Sequence, residues 1–186
     1  MDVLSASMHD DKVAWYENDG NGNFGSQIII TTDADQPRSV YATDVDGDGD
    51  MDVLSASGDD DKIAWYENDG AVDPSFTAHT ITTSADRPWS VFSADVDSDG
   101  DMDVLSASMN DDKIAWYEND GSENFTEHAI STSADGARSV HAADVDGDGD
   151  MDVLSSSSDD DKIAWYENDG SESFTEHVIS TSADGA

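Results

Sequence analysis

Asp95-Val-Asp-Ser-Asp-Gly-Asp-Met-Asp103 runs into Val104-Leu-Ser-Ala-Ser108, and a polar turn later into Lys113-Ile-Ala-Trp-Tyr-Glu-Asn-Asp-Gly121. The same order of segments returns along the chain. Met-Asp-Val-Leu-Ser begins at Met1, Met51, Met102 and Met151, and the Ala-Trp-Tyr-Glu-Asn-Asp-Gly string carries Trp15, Trp65, Trp116 and Trp165, at a period of about 50 residues. Even the few cations follow the period: Lys12, Lys62, Lys113 and Lys162 open the Trp segment, and Arg38, Arg87 and Arg138 precede the acidic clusters.

One period, Arg87 to Gly136, reads as four short strands. Trp89 to Ala94 is rich in aromatic and β-favouring residues. Val104 to Ser108 carries small Ser and Ala side chains suited to close packing on both faces. In Lys113 to Asn119, Ile114 and Trp116 alternate with Ala115 and Tyr117, the period-2 pattern of a strand. Asn119-Asp120-Gly121 is a turn signal, because these residues tolerate positive φ. Phe125 to Ser131 completes the set. No segment has a helical period, so the chain is all-β. Four strands in about 50 residues, repeated in tandem, predict a β-propeller of four-stranded antiparallel blades. A nonapeptide β-helix would iterate every nine residues, which this chain does not. A sandwich has no need of near-identical sequence at every fourth strand. The reading is a single propeller region, 1–186, with repeats 1–37 (partial), 38–86, 87–137 and 138–186. It expects three complete blades and one without its first strand, in a fragment of a longer array. Closure as a four-bladed ring and pairing of two chains into a larger ring both stay open.

Composition excludes several functions. The 186 residues hold 7 Lys+Arg against 44 Asp+Glu, a net charge of −37. Gripping a phosphate backbone requires clustered Lys and Arg, so no nucleic-acid partner is expected; docking on anionic lipid is disfavoured in the same way. No apolar stretch approaches the ~20 residues of a membrane span. With no cysteine, there is neither a disulfide frame nor a thiolate zinc site. High charge with low hydrophobicity usually means disorder, but five Trp, five Tyr and five Phe at regular positions oppose that here.

The sharpest signal lies in three acidic loops. They are Asp44-Val-Asp46-Gly-Asp48-Gly-Asp50-Met-Asp52, Asp95-Val-Asp97-Ser-Asp99-Gly-Asp101-Met-Asp103 and Asp144-Val-Asp146-Gly-Asp148-Gly-Asp150-Met-Asp152. Five carboxylates at alternate positions repel one another unless they bind protons or a hard cation. Calcium accepts six to eight oxygens in an irregular cage and fits better than octahedral magnesium. The first half of each loop resembles an EF-hand loop, with Asp at positions one, three and five and Gly at six (Gly49, Gly100, Gly149). The closing acid comes at nine instead of twelve, and strands flank the loop. Side chains at positions one, three, five and nine are the expected ligands. Position seven (Asp50, Asp101, Asp150) is expected to contribute its backbone carbonyl. One calcium per loop, three in all, serves structure more naturally than catalysis. Ser98 replaces Gly at position four, so the second site is expected to be the weakest. The runs Asp59-Asp60-Asp61 and Asp159-Asp160-Asp161 read as solvated surface.

These residues resemble the FG-GAP/VCBS repeat family, whose blades carry an Asp-x-Asp-Gly-Asp-Gly-x-x-Asp calcium loop. The resemblance spans the whole chain. It implies a calcium-stabilised propeller of the kind found in integrin α-subunit heads and in bacterial surface and secreted proteins. The Asn-Asp-Gly spacing to Phe is nearer the bacterial type. A Phe-Gly pair occurs only at Phe24-Gly25 and Gly-Ala-Pro is absent, so integrin-like ligand binding is not carried over.

No nucleophile elbow, phosphate loop or His-Glu-x-x-His occurs, and near-perfect repetition is poor ground for a unique catalytic constellation, so the chain is not expected to be an enzyme. The Trp-Tyr pairs are expected to pack between blades, Trp89 to fill a gap, and His79, His128 and His177 to lie on a surface strand. The expected function is a calcium-binding secreted or cell-surface module for adhesion or for binding a macromolecule. The ligand is an unknown protein or glycan, and self-association could complete the ring. The alternative is an accessory propeller of a secreted carbohydrate-active enzyme.

Overall fold

The computed structural model describes all 186 residues. It contains fifteen strands and no helix, in four sheets. The first sheet has three strands, β1 (Val3–Ser7), β2 (Lys12–Tyr16) and β3 (Ile28–Thr31). The second holds β4 (Pro37–Thr43), β5 (Asp52–Ser57), β6 (Lys62–Asn68) and β7 (Phe76–Thr82). The third holds β8 (Pro88–Ala94), β9 (Asp103–Ser108), β10 (Lys113–Asn119) and β11 (Phe125–Ser131). The fourth holds β12 (Ala137–Ala143), β13 (Asp152–Ser157), β14 (Lys162–Asn168) and β15 (Phe174–Ser180). Every sheet is an antiparallel meander in chain order. These are propeller blades, and the four strands read from Arg87 to Gly136 match β8 to β11 with one residue added at the start of the first two.

In the two middle blades the second strand is flanked by protein on both faces, which its small residues permit. All six residues of β5 and of β9 are buried. The third strand carries the bulky apolar load. Trp65, Tyr66, Trp116, Tyr117 and Tyr166 are closed to solvent, so the Trp65-Tyr66 and Trp116-Tyr117 pairs are core and cannot stack on a sugar, while Trp165 is half-buried. The buried phenol of Tyr66 lies 3.2 Å from Ser55 Oγ, and Tyr117 and Tyr166 pair in the same way with Ser106 and Ser155. His79, His128 and His177 cap the Trp rings, with centroids 4.4, 4.7 and 4.6 Å away. Each also lies within hydrogen-bonding distance of a third-strand glutamate, Glu67, Glu118 or Glu167. They are half-buried lids over the core.

Successive blades meet through repeated clusters. Leu54, Ile63 and Trp65 of the second blade pack with Val91, Val104 and Tyr117 of the third; Leu105, Ile114 and Trp116 of the third pack with Val140, Val153 and Tyr166 of the fourth. First strands adjoin in the order β4, β8, β12, while β1 packs on β4. None of the packed strand pairs joins the fourth sheet back to the first, so the blades form an open arc. Between the first two blades lies a cavity of about 540 Å³ lined by Leu4, Trp15, Val40 and Phe76. At the matching place in the next joints sit Tyr41 with Val45, and Phe92 with Val96.

The turn between the second and third strands is more than the solvated surface expected of it. Asp61, in the left-handed region at φ 55, accepts a hydrogen bond from the Arg87 backbone N–H at 3.0 Å. Asp11, Asp112 and Asp161 do the same for Gln36, Gly136 and Gly185. Each tie fixes the corner by which the chain enters the next blade. The register also corrects the cation periodicity. Ser39, Ser90 and Ser139 are equivalent, so Arg38 and Arg138 align with Trp89, whereas Arg87 aligns with Gln36 and Gly136.

A buried side-chain amide reaches across the second and third joints. Asn119, at the end of β10, donates through Nδ2 to the carbonyl of Val45 in the preceding blade at 3.1 Å, and Asn168 does so to Val96 at 3.1 Å. Asn68 donates only to Met51 of its own blade. A buried carbonyl left without its donor costs about 1–3 kcal/mol. Asn119→Ala should therefore lower the urea-unfolding free energy by about 1 kcal/mol more than Asn68→Ala; equal losses would show that the contact between blades contributes nothing.

Candidate metal centres

Each acidic loop joins the first strand of a blade to the second, and its backbone is shaped by its own carboxylates. Asp44 accepts from the Gly47 and Gly49 N–H groups at 2.9 and 3.0 Å, Asp46 from Asp48 N–H at 3.1 Å, and Asp48 from Asp50 N–H at 2.8 Å. The third loop repeats this pattern. These local bonds compete with regular strand geometry and curl the chain, turning the acids at positions one and three inward in every loop, with position five beside them in the first two. Carboxylate oxygens of Asp44, Asp46 and Asp48 lie within 4.8 Å of one another, as do those of Asp95, Asp97 and Asp99, and of Asp144, Asp146 and Asp152.

Position nine closes the loop from beneath. Asp52, fully buried, accepts from Val45 N–H at 2.9 Å and from Asn68 N–H at 2.8 Å. Asp103 and Asp152 make the equivalent pairs with Val96 and Asn119, and with Val145 and Asn168. Burial pushes the Asp52 carboxyl up to about 6 and that of Asp103 up to about 7, with the acids at positions three and five adding to the rise. Burial, then neighbouring carboxylates, also raises Asp46, Asp97 and Asp146. Such loops hold more negative charge than the protein alone stabilises, the condition a divalent cation relieves.

Position seven stands apart. The carboxylates of Asp50, Asp101 and Asp150 turn toward Gly70, Gly121 and Gly170 of the Asn-Asp-Gly turns, where a Cβ would overlap them. Their side chains are in none of the three clusters, which leaves the main chain as the route by which this position could reach a cation.

The second loop differs from the others. Ser98 sits at φ 64, where Gly47 and Gly147 have φ 76 and 83. The amides of those glycines donate to Oδ1 of the first aspartate, but Asp95 Oδ1 is closed to solvent and has no partner. An orphaned buried carboxylate oxygen facing two more carboxylates suits an oxygen-seeking ion such as calcium. The third loop is the most open, since no further blade covers it: Val145 is 44% exposed, against 2% for Val45 and 1% for Val96.

A family model for the FG-GAP-like repeat matches residues 1–55, 44–106, 95–155 and 144–186, successive matches overlapping across one acidic loop. The chain belongs to the FG-GAP-like repeat family. No curated protein matches it in sequence. Among solved structures, a protein from Lactobacillus plantarum superimposes with a TM-score of 0.64 at 15% identity, over 96% of this chain and 52% of its own. The V. cholerae biofilm matrix protein Bap1 gives 0.54 at 20% identity, over 95% of this chain and 26% of its own. A candidate 6-phosphogluconolactonase from Bacteroides uniformis gives 0.65 at 14%, over 98% and 53%. The chain thus spans between a quarter and about half of these relatives, and at such identities they share its fold alone.

Because the FG-GAP-like repeats differ so little, their departures are informative. A non-glycine residue in the left-handed region costs roughly 1 kcal/mol. Ser98→Gly should recover about that much stability and tighten cation binding at the second loop, as read by calcium titration of the single variant. Unchanged stability and affinity would show that the Ser98 backbone carries no strain.

Proposed function

We propose that the chain is a calcium-binding, non-enzymatic extracellular module that binds a macromolecule, with one ion stapling each acidic loop. The observation that carries this reading is the gathering of three carboxylates within 4.8 Å in every loop, with Asp95 Oδ1 orphaned in one of them. Positions one, three, five and nine would hold the ion: Asp44, Asp46, Asp48 and Asp52; Asp95, Asp97, Asp99 and Asp103; Asp144, Asp146, Asp148 and Asp152. Its charge would offset carboxylates that burial and mutual repulsion now destabilise. Through Asp52 and Asp103, whose oxygens also receive the Val45 and Val96 amides, the ion would stiffen the segments that the next blade's asparagine grips.

Extracellular calcium modules bind at about 10⁻⁴–10⁻³ M, which fills them outside a cell and leaves them unoccupied in cytosol. Likeness to a biofilm matrix protein supports an extracellular, cohesive role. Self-association belongs to the same reading. Val145 is 44% exposed where Val45 and Val96 are covered by a following blade, so this end of the arc presents an unmatched half of the joint found between blades. Sedimentation that does not vary with concentration would remove it.

At calcium 10- to 100-fold above the dissociation constant, each site adds about 1.4–2.7 kcal/mol to stability. Three filled loops should therefore raise the thermal midpoint well above that in chelator, as followed by near-UV circular dichroism of the buried Trp residues. Coincident melts would defeat the calcium reading. Asp46→Asn with Asp48→Asn should lower the calorimetric stoichiometry by one ion, and an unchanged stoichiometry would exclude the first loop.

A further inference from the structure

At the far end of the first strands from the acidic loops, two of the three arginines of this strongly acidic chain stack on one ring and the third stands beside them. Arg38 lies over one neighbouring side of Trp89 and Arg138 over another, with guanidinium carbons 4.1 and 4.0 Å from the ring centroid. These residues hold the same place in three successive blades, so the stack runs along the arc. Arg87 stands beside it: its Cγ and Arg38 Nε both flank Gly58, where an added Cβ would come within 2.6 Å of that nitrogen. The other blades carry Met8, Met109 and Ser158 at the Gly58 position.

None of the three guanidiniums is ion-paired, although the chain has 44 acids. Gln36 stands between Arg38 and Asp59, bonding both. Arg38 also donates to Met8 Sδ, Arg138 donates through Nε to Ser158 Oγ, and the Arg87 head makes no hydrogen bond. Three N–H donors are closed to solvent and lack acceptors: Arg38 Nε, Arg87 Nε and Trp89 Nε1. Native proteins rarely leave such groups unpaired, and here the orphans share one place and one polarity. Burial and the nearby Arg87 charge both lower the Arg38 pKa, so the cluster is also short of negative charge.

We propose that this Arg38–Arg87–Trp89–Arg138 cluster binds a carboxylate, free or carried by a uronic-acid sugar. Two arginine faces are spent on the indole, which leaves in-plane N–H groups, the geometry that grips a planar carboxylate. A single negative charge is favoured over phosphate or sulfate polyanions because the chain's net −37 repels multiply charged ligands. The proposal names a ligand class for the binding-module reading but does not depend on the metal. A calcium-dependent melt without carboxylate binding would overturn this site and leave the calcium reading intact.

The test follows the indole N–H resonance of Trp89 in the nitrogen-15-labelled full chain, assigned by its loss in Trp89→Phe. Galacturonate should move that resonance saturably, while galactose and sodium chloride at matched ionic strength should not. Acetate forms the second arm: a response equal to that of galacturonate assigns the site to a bare carboxylate, and a weaker one to the sugar acid. Arg87→Gln should weaken galacturonate binding at least about tenfold, the loss typical of a hydrogen bond to a charged group. That variant places at the corner the residue that the second blade already holds there, at φ 52 against 57. A resonance indifferent to galacturonate, or one responding equally to galactose, would overturn the proposal, as would undiminished binding in Arg87→Gln.

Discussion

A buried carboxylate with two backbone amides on it organises this structure. Asp52, Asp103 and Asp152 each receive one amide from the acidic loop and one from the end of the third strand. A single side chain thereby fixes where the loop closes, where the second strand starts and where the third strand stops. The neighbouring asparagine then reaches across to the loop of the preceding blade. Loop shape and blade stacking are therefore not separable. Whatever stabilises the ionised form of that aspartate acts on both, because the amides it receives belong to the segments that meet at the joint.

Much of this was legible from residue order. The period, the alternation in Lys113–Asn119 and the Asn-Asp-Gly turns suffice for the blades, because each blade's strands are joined by local hairpins whose chemistry is written in adjacent residues. The small residues of β5 and β9 announced burial on both faces. The inward cluster at positions one, three and five of the first two loops was also readable, since alternate aspartates in a turn bond their own backbone; in the third loop position nine takes the place of five.

Contacts between repeats were harder to see. Val45 looks like any loop valine until the next blade covers it, and Asn119 looks like a turn residue until its amide is found on a carbonyl in another blade. The last aspartate of each polar turn read as solvated because its partner amide lies in the following repeat. Arg87 resembled Arg38 and Arg138 because all three lie at the start of a first strand; pairing register shows it two positions out of step and puts Trp89 in their row. Identity at equivalent positions hides what the positions do, and only a three-dimensional neighbour reveals it.

The joint between blades is directional, with a valine carbonyl on one side and an asparagine amide on the other, and each complete repeat carries one of each. Adding or deleting a whole repeat therefore recreates the same junction instead of demanding a new one. Copy number becomes a variable that unequal recombination can change without redesigning any surface, while substitutions confined to single repeats, such as Trp89, Gly58 and Ser98, give individual blades an identity of their own.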